Sequence, residues 1–310
     1  MTAIMKYVFF GFEFEFDPVA FTIGDSWGVY WYGILITLGF VLAVIYGMTK
    51  AKKFGIDSDR LLDCILVTAP LAIVGARAYY IIFDSSLTFK SFFNIHDGGL
   101  AIYGGVLIAV VVGAIMCKLR KINILSALDL TALGFLIGQA IGRWGNFINQ
   151  EAYGYTTGSS WFGISGDKII EQMNTQMPVH PCFLYESLWC ALGFVILHFM
   201  SKKRKFTGQI AASYLVWYGF GRFFIEYFRT DSLYLDNGGV IKVSMLLSGI
   251  MVVVGLILLV VGFKKAENNK IPAKYNAVFE EIEEKAESSV EDETLDKIVI
   301  EESVAEDREE

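Results

Sequence analysis

Residues 130–154 read Leu-Thr-Ala-Leu-Gly-Phe-Leu-Ile-Gly-Gln-Ala-Ile-Gly-Arg-Trp-Gly-Asn-Phe-Ile-Asn-Gln-Glu-Ala-Tyr-Gly. An apolar stretch, Leu130 to Ile141, runs without a break into a polar, charged, glycine-punctuated run from Gly142 to Gly154. Ionisable groups at the end of a membrane span are costly there, so their presence points to function. Other apolar segments carry similar groups, namely Arg77, Tyr103, Glu186, Arg222 and Glu226. Whether these groups meet decides how the chain is read.

Of the 310 residues, 54% are hydrophobic and 15% aromatic, and the mean hydropathy is +0.48. A soluble globule of ordinary composition falls well below this. Apolar windows long enough to cross a hydrocarbon core of about 30 Å occur near 27–49, 61–83, 99–117, 125–143, 184–200, 208–228 and 240–263. The fold class expected is therefore all-α: a polytopic integral membrane protein with about seven transmembrane helices.

Lys and Arg in short loops are retained on the cytoplasmic side. The first loop holds Lys50, Lys52, Lys53 and Arg60, the third Lys118, Arg120 and Lys121, and the fifth Lys202, Lys203, Arg204 and Lys205. The second, fourth and sixth hold mainly Lys90, Lys168 and Arg229. This alternation puts the N-terminus outside and the C-terminus in the cytoplasm, as an odd number of crossings requires. Glu13, Glu15 and Asp17 precede the first apolar run, which does not resemble a cleavable signal peptide.

Residues 1–266 are expected to form the transmembrane domain, with an external loop over about 150–179 whose Gly, Ser and Thr content argues against a continuous helix. From Glu267 to Glu310 there are 16 acidic and 5 basic residues, a net of −11, which leaves +4 for residues 1–266 given the overall −7. Such a segment repels itself and has little to bury, so a disordered cytoplasmic tail is expected. Cys64, Cys117, Cys182 and Cys190 lie in or beside apolar spans and show no metal spacing, which reads as structural burial. His96, His180 and His198 have no partners at ligand spacing, so no metal site is expected. No internal repeat of the transporter kind is found.

With the N-terminus outside, the polar residues fall in one outer layer. Tyr30 and Tyr32 open the first span, Tyr103 the third, and His180, Tyr185 and Glu186 the fifth. Arg77 lies in the outer half of the second span, Arg143 and Asn146 end the fourth, and Tyr218, Arg222 and Glu226 end the sixth. The last three are spaced i, i+4, i+8 on one helical face, so an Arg-Glu contact one turn apart is available. An ion pair that only fixes helix packing would look the same, because buried charges are paired wherever they occur. Three arginines in one layer go further and suggest an anionic ligand. The glycine pairs Gly98-Gly99 and Gly104-Gly105 around Tyr103 permit close approach of a helix or of a ligand.

These segments resemble the bacterial phosphatidylglycerol:prolipoprotein diacylglyceryl transferases over nearly all of residues 12–263. The most specific match is 142–154, which fits the family pattern Gly-Arg-x-x-Asn-Phe-Ile-Asn-x-Glu-x-x-Gly without a gap. The pattern extends to Phe14–Pro18, Tyr30–Gly33, Gly98–Gly105, His180–Glu186 and Tyr218–Arg229. The resemblance implies transfer of the diacylglyceryl group of phosphatidylglycerol to the thiol of a lipobox cysteine in the signal peptide of a preprolipoprotein. A thioether forms and glycerol phosphate is released, the first step of bacterial lipoprotein maturation. It implies a multi-pass protein of the bacterial cytoplasmic membrane, working among membrane lipid with neither a cofactor nor a nucleic-acid partner.

By the same resemblance Arg143 and Asn146 engage the head group, Arg222 is the second essential cation, and Glu226 and Glu151 orient these or shape the site. Tyr32 and Tyr218 are hydroxyl donors, and Arg77, Gly154 and His180 belong to the substrate-binding set. Several relatives carry His where this chain has Tyr103, and a phenol with a pKa of about 10 is a poorer base at neutral pH. Tyr103 then acts as a hydrogen-bond donor or as a tyrosinate helped by arginine, or else the thiol is activated by the arginines' positive field. An anion transporter is the competing reading. It predicts polar residues at several depths, whereas here the inner halves are nearly all apolar, with Asp63 and Asp129 as boundary charges. A lipid-binding scaffold would explain the arginines but not the 142–154 pattern.

Overall fold

The structure is a computed structural model that describes residues 4–24, 27–83, 99, 101–235 and 242–267. Lys90, His96, Gly98 and the acidic tail lie outside the described residues. The helical body follows the hydropathy. Seven long helices match the seven apolar windows: α1 (Trp31–Lys50), α2 (Ser58–Phe83), α3 (Ile102–Leu119), α4 (Ile124–Asn149), α6 (Cys182–Ser201), α7 (Gln209–Phe228) and α8 (Val243–Glu267), with a short α5 (Asp167–Met173) between α4 and α6. By length and composition α1, α2, α4, α6 and α8 can each cross a membrane. The apolar α3 is shorter, at 18 residues, and α7 carries the polar face read from the sequence.

Small residues bring the helices together, as expected where lipid offers no hydrophobic drive for association. A Cβ on Gly39 of α1 would lie 3.2 Å from the Cα of Gly138 of α4. In the α2–α3 pair Gly104 is pressed against Tyr79 and the Gly75 carbonyl. In the α7–α8 pair a Cβ on Gly219 would lie 2.8 Å from the Ser248 carbonyl, and one on Gly255 2.8 Å from the Ala212 carbonyl. Between α6 and α7 two indoles stack at 4.3 Å. Trp189 Nε1 donates to the Trp217 carbonyl at 2.9 Å and Trp217 Nε1 to the Trp189 carbonyl at 3.0 Å. Gly193 and Gly221 leave the room those rings occupy. α4 lies at the centre and contributes the buried Leu130, Leu133 and Leu136.

Asp129 is not the boundary charge expected of it. It is fully buried, and its carboxylate accepts from the backbone N–H groups of Gly208 and Ala211 at 2.8 Å each. These are orphan donors at the start of α7, so α4 caps α7 across the bundle. Asp63 does behave as a boundary charge, paired with Arg120 at 3.2 Å while both stay exposed. All four cysteines are buried and free.

Outside the helical body the chain forms short strands that hydropathy left unassigned. β1 (Met5–Phe9) pairs antiparallel with β2 (Phe12–Phe16) and with β5 (Ile164–Gly166), while β3 (Val19–Ile23) pairs with β4 (Trp27–Tyr30). The loop over 150–179 is thus a small cap holding β5 and α5, in which Tyr153, Ile164, Ile169 and Val179 form one buried cluster with Phe183 of α6. Tyr7 anchors it to α4 by donating to the Ile148 carbonyl at 2.7 Å.

Candidate active site

The motif helix outlasts its apolar stretch. α4 continues through Arg143 and Asn146 to Asn149, then stops at Gln150, whose φ of 53° and ψ of 48° are left-handed. Such a conformation is uncommon outside glycine and needs support. The Gln150 side chain supplies it, donating to the Lys6 carbonyl at 2.8 Å and accepting from Lys168 N–H at 2.9 Å. Strand, cap helix and motif are locked at one point. The chain turns again at Ala152, with φ 56°, and Gly154 enters a crowded corner. A Cβ there would sit 2.7 Å from the Phe228 carbonyl and 2.8 Å from the His180 Cβ. Gly154 therefore serves packing, and its backbone joins the His180 carbonyl and bridges to Arg229.

The arginines converge on one carboxylate. Arg143 Nη2 lies 2.7 Å from Glu186 Oε1, and Arg222 Nη1 lies 2.7 Å from Glu186 Oε2. The Tyr218 hydroxyl donates to Glu186 Oε1 at 2.9 Å. Arg222 Nη2 is also 2.7 Å from Glu226 Oε2, the one-turn contact the sequence allowed. That oxygen has no well-directed hydrogen bond, so the contact is an ion pair held by charge. Glu226 is approached at 3.8 Å by Arg229, which makes a bidentate pair with Asp231 at 2.9 and 2.7 Å. Lys242 closes the series by donating to the carbonyls of Glu226 and Arg229 at 2.8 and 2.9 Å.

Cations and anions thus alternate from α4 through α6 and along α7. The carboxylate side chains of Glu186 and Glu226 are only 3% and 1% exposed, whereas Arg143 and Arg222 keep 22% and 13%. The anions are sealed in, while the two arginine side chains remain partly exposed. Each arginine has five N–H donors in a rigid fork, so both can take a further anion.

A second branch leaves Arg143 in the other direction. Arg143 Nη1 donates to Asn146 Oδ1 at 3.1 Å, and Asn146 Nδ2 donates to Glu151 Oε1 at 2.9 Å. Tyr32 packs on Gly145, where its ring occupies the space of a side chain, and its hydroxyl is within electrostatic reach of Glu151 and Arg143. Of the expected site residues, Arg143, Asn146, Glu151, Tyr218, Arg222 and Glu226 form one bonded network, with Tyr32 beside it.

The others stand differently. Tyr103 is 55% exposed at the start of α3 and makes no hydrogen bond with the described residues. Arg77 is buried, donates to the Gly99 carbonyl at 3.0 Å and lies over the Tyr80 ring, at the α2–α3 junction. His180 meets the Tyr185 hydroxyl at 3.1 Å and packs on Phe228, and burial pushes its imidazole below the usual value. Sequence reasoning named Glu186 only as one carboxylate among several. Its position as the hub comes from three helices meeting, which no local pattern records.

The sequence matches the prolipoprotein diacylglyceryl transferase family over residues 18–261. The chain belongs to this family. Among its relatives, the phosphatidylglycerol--prolipoprotein diacylglyceryl transferase of Finegoldia magna is 45% identical over 247 residues, 78% of this chain and 94% of the relative. Proteins of that name from Clostridioides difficile and Streptococcus agalactiae are 40% and 44% identical, covering 82% and 79% of this chain and 98% and 95% of their own. As a prolipoprotein diacylglyceryl transferase family member it is a membrane transferase, and the matched region takes in the whole arginine network.

Proposed function

We propose that this protein transfers the diacylglyceryl group of phosphatidylglycerol to the lipobox cysteine of a prolipoprotein signal peptide, at the outer face of the bacterial cytoplasmic membrane. The observation that carries the reading is the double ion pair at Glu186, which holds the guanidinium groups of two partly exposed arginines side by side on one carboxylate. Two planar forks beside each other suit a phosphate, whose oxygens take paired N–H donors.

In this reaction the cysteine sulfur attacks the glyceryl carbon, a carbon–sulfur bond forms, and the carbon–oxygen bond to phosphate breaks. Negative charge collects on the departing glycerol phosphate. Arg143 and Arg222 stabilise that charge in a water-poor site, where fixed donors act more strongly than in water. Glu186 is a positioning residue: it fixes the spacing of the forks, and Tyr218 fixes Glu186. Glu226, itself approached by Arg229, holds Arg222 from the other side, and Asn146 orients Arg143. Holding lipid and peptide in line supplies the rest.

The test is incubation of the purified protein with phosphatidylglycerol and a lipobox peptide. Mass spectrometry should find a diacylglyceryl adduct on the peptide's cysteine together with free glycerol phosphate. An unmodified peptide in the presence of intact lipid would refute the proposal.

A further inference from the structure

Resting on the transferase reading, we propose that Glu151 is the catalytic residue that takes the proton from the cysteine thiol. The two sealed carboxylates do not suit this task. Glu186 is engaged by Arg143, Arg222 and Tyr218, and Glu226 lies between Arg222 and Arg229, so protonating either would strand buried cations. His180 is turned to Tyr185 and Phe228, and Tyr103 makes no bond to the network. Among the described residues bonded into the network, Glu151 alone offers an exposed carboxylate outside any ion pair.

Its geometry fits a base. Oε1 accepts from Asn146 at 2.9 Å and from Asn149 at 3.4 Å, and Oε2 has no donor among the described residues. One oxygen is held and the other is open. The groups linked to it are Tyr32 of α1 and, through Asn146, Arg143 of α4, while Lys168 of α5 donates its Nζ to the Asn149 carbonyl at 3.4 Å, two residues before Glu151. A thiol is a far weaker acid than a carboxylic acid, so proton transfer from it to a carboxylate needs the thiolate to be stabilised. Arg143 supplies that positive field beside the same carboxylate.

Charge balance points the same way. The phosphodiester enters with one negative charge and leaves as a monoester that carries up to two. The thiol loses one proton as sulfur takes the carbon. A proton moved to Glu151 neutralises one carboxylate at the moment the second phosphate charge appears, so the site's total is unchanged. Deprotonated again by solvent, Glu151 is ready for the next thiol.

The experiment compares the parent with Glu151→Gln and Glu151→Asp in the peptide assay from pH 5 to 10, reading kcat and KM for phosphatidylglycerol separately. Gln keeps the size and can still accept from both asparagines, so folding is checked by detergent thermostability. A general base contributes about 10²- to 10⁴-fold. Glu151→Gln should therefore lose at least about 100-fold in kcat, with KM changed less than about twofold. Its deficit should narrow as pH rises past about 8.5, where the peptide thiol ionises unaided, and Glu151→Asp should restore part of the rate. A loss confined to KM would make Glu151 a reader of the head-group hydroxyls and overturn the proposal, as would an unchanged kcat or a deficit constant with pH. Failure of the parent itself to form adduct would refute the transferase reading instead.

Discussion

Glu186 illustrates how a buried charge acquires a role through its neighbours. A carboxylate taken out of water is tolerated only with compensation, and here two guanidinium groups and a phenol supply it. Removing the charge would leave Arg143 and Arg222 facing each other. Glu186→Gln should therefore lower stability by about 3 kcal/mol, read as earlier thermal unfolding in detergent, and should abolish turnover together with it. Arg143→Lys keeps the charge but loses the fork. Its turnover should fall about 100-fold while thermal stability changes much less, and near-parental turnover would rule out paired recognition of phosphate. The residue types were legible in the sequence, since Arg143, Arg222 and Glu226 announce themselves by being charged in apolar surroundings. Their order of contact was not, because Glu186 lies 43 positions from Arg143 and 36 from Arg222.

At the scale of elements, the site depends on how α4 ends. The apolar pattern predicts that the helix ends near Arg143, yet it runs on to Asn149. The extra turn and a half sets Asn146 and Asn149 toward Glu151, and the left-handed Gln150 turns the chain back over the site. Hydropathy cannot see this extension because polar residues continue a helix as readily as apolar ones. Gly154 fixes the next step, where a side chain would meet the Phe228 carbonyl and His180. Gly154→Ala should therefore displace the end of α7 that carries Glu226 and Arg229. The expected outcome is loss of transfer with lowered thermostability, whereas a variant matching the parent in both would show that the corner yields.

For the molecule as a whole, seven long helices among the described residues carry the charged network, and two small sheets lie outside the helical body. The family match ends at residue 261, before the acidic segment begins. We therefore propose that residues 1–266 form the transferring unit and that the tail is dispensable for chemistry. A chain ending at Glu267 should keep kcat and KM for phosphatidylglycerol within about twofold of the full-length protein in the peptide assay. A larger loss would give the tail a part in turnover.

The sequence by itself determined the membrane class, the long helices and the residue types of the candidate site, because burial in lipid demands long apolar runs and makes every exception visible. The strands and the extended end of α4 escaped it, since both are held by hydrogen bonds between distant segments. The tertiary structure alone decided that Glu186 is the hub, that Asp129 caps α7 and that Gly154 is a packing glycine. Each depends on which helix faces which, and that is set by small-residue contacts between helices and by the pairing that buried charges require.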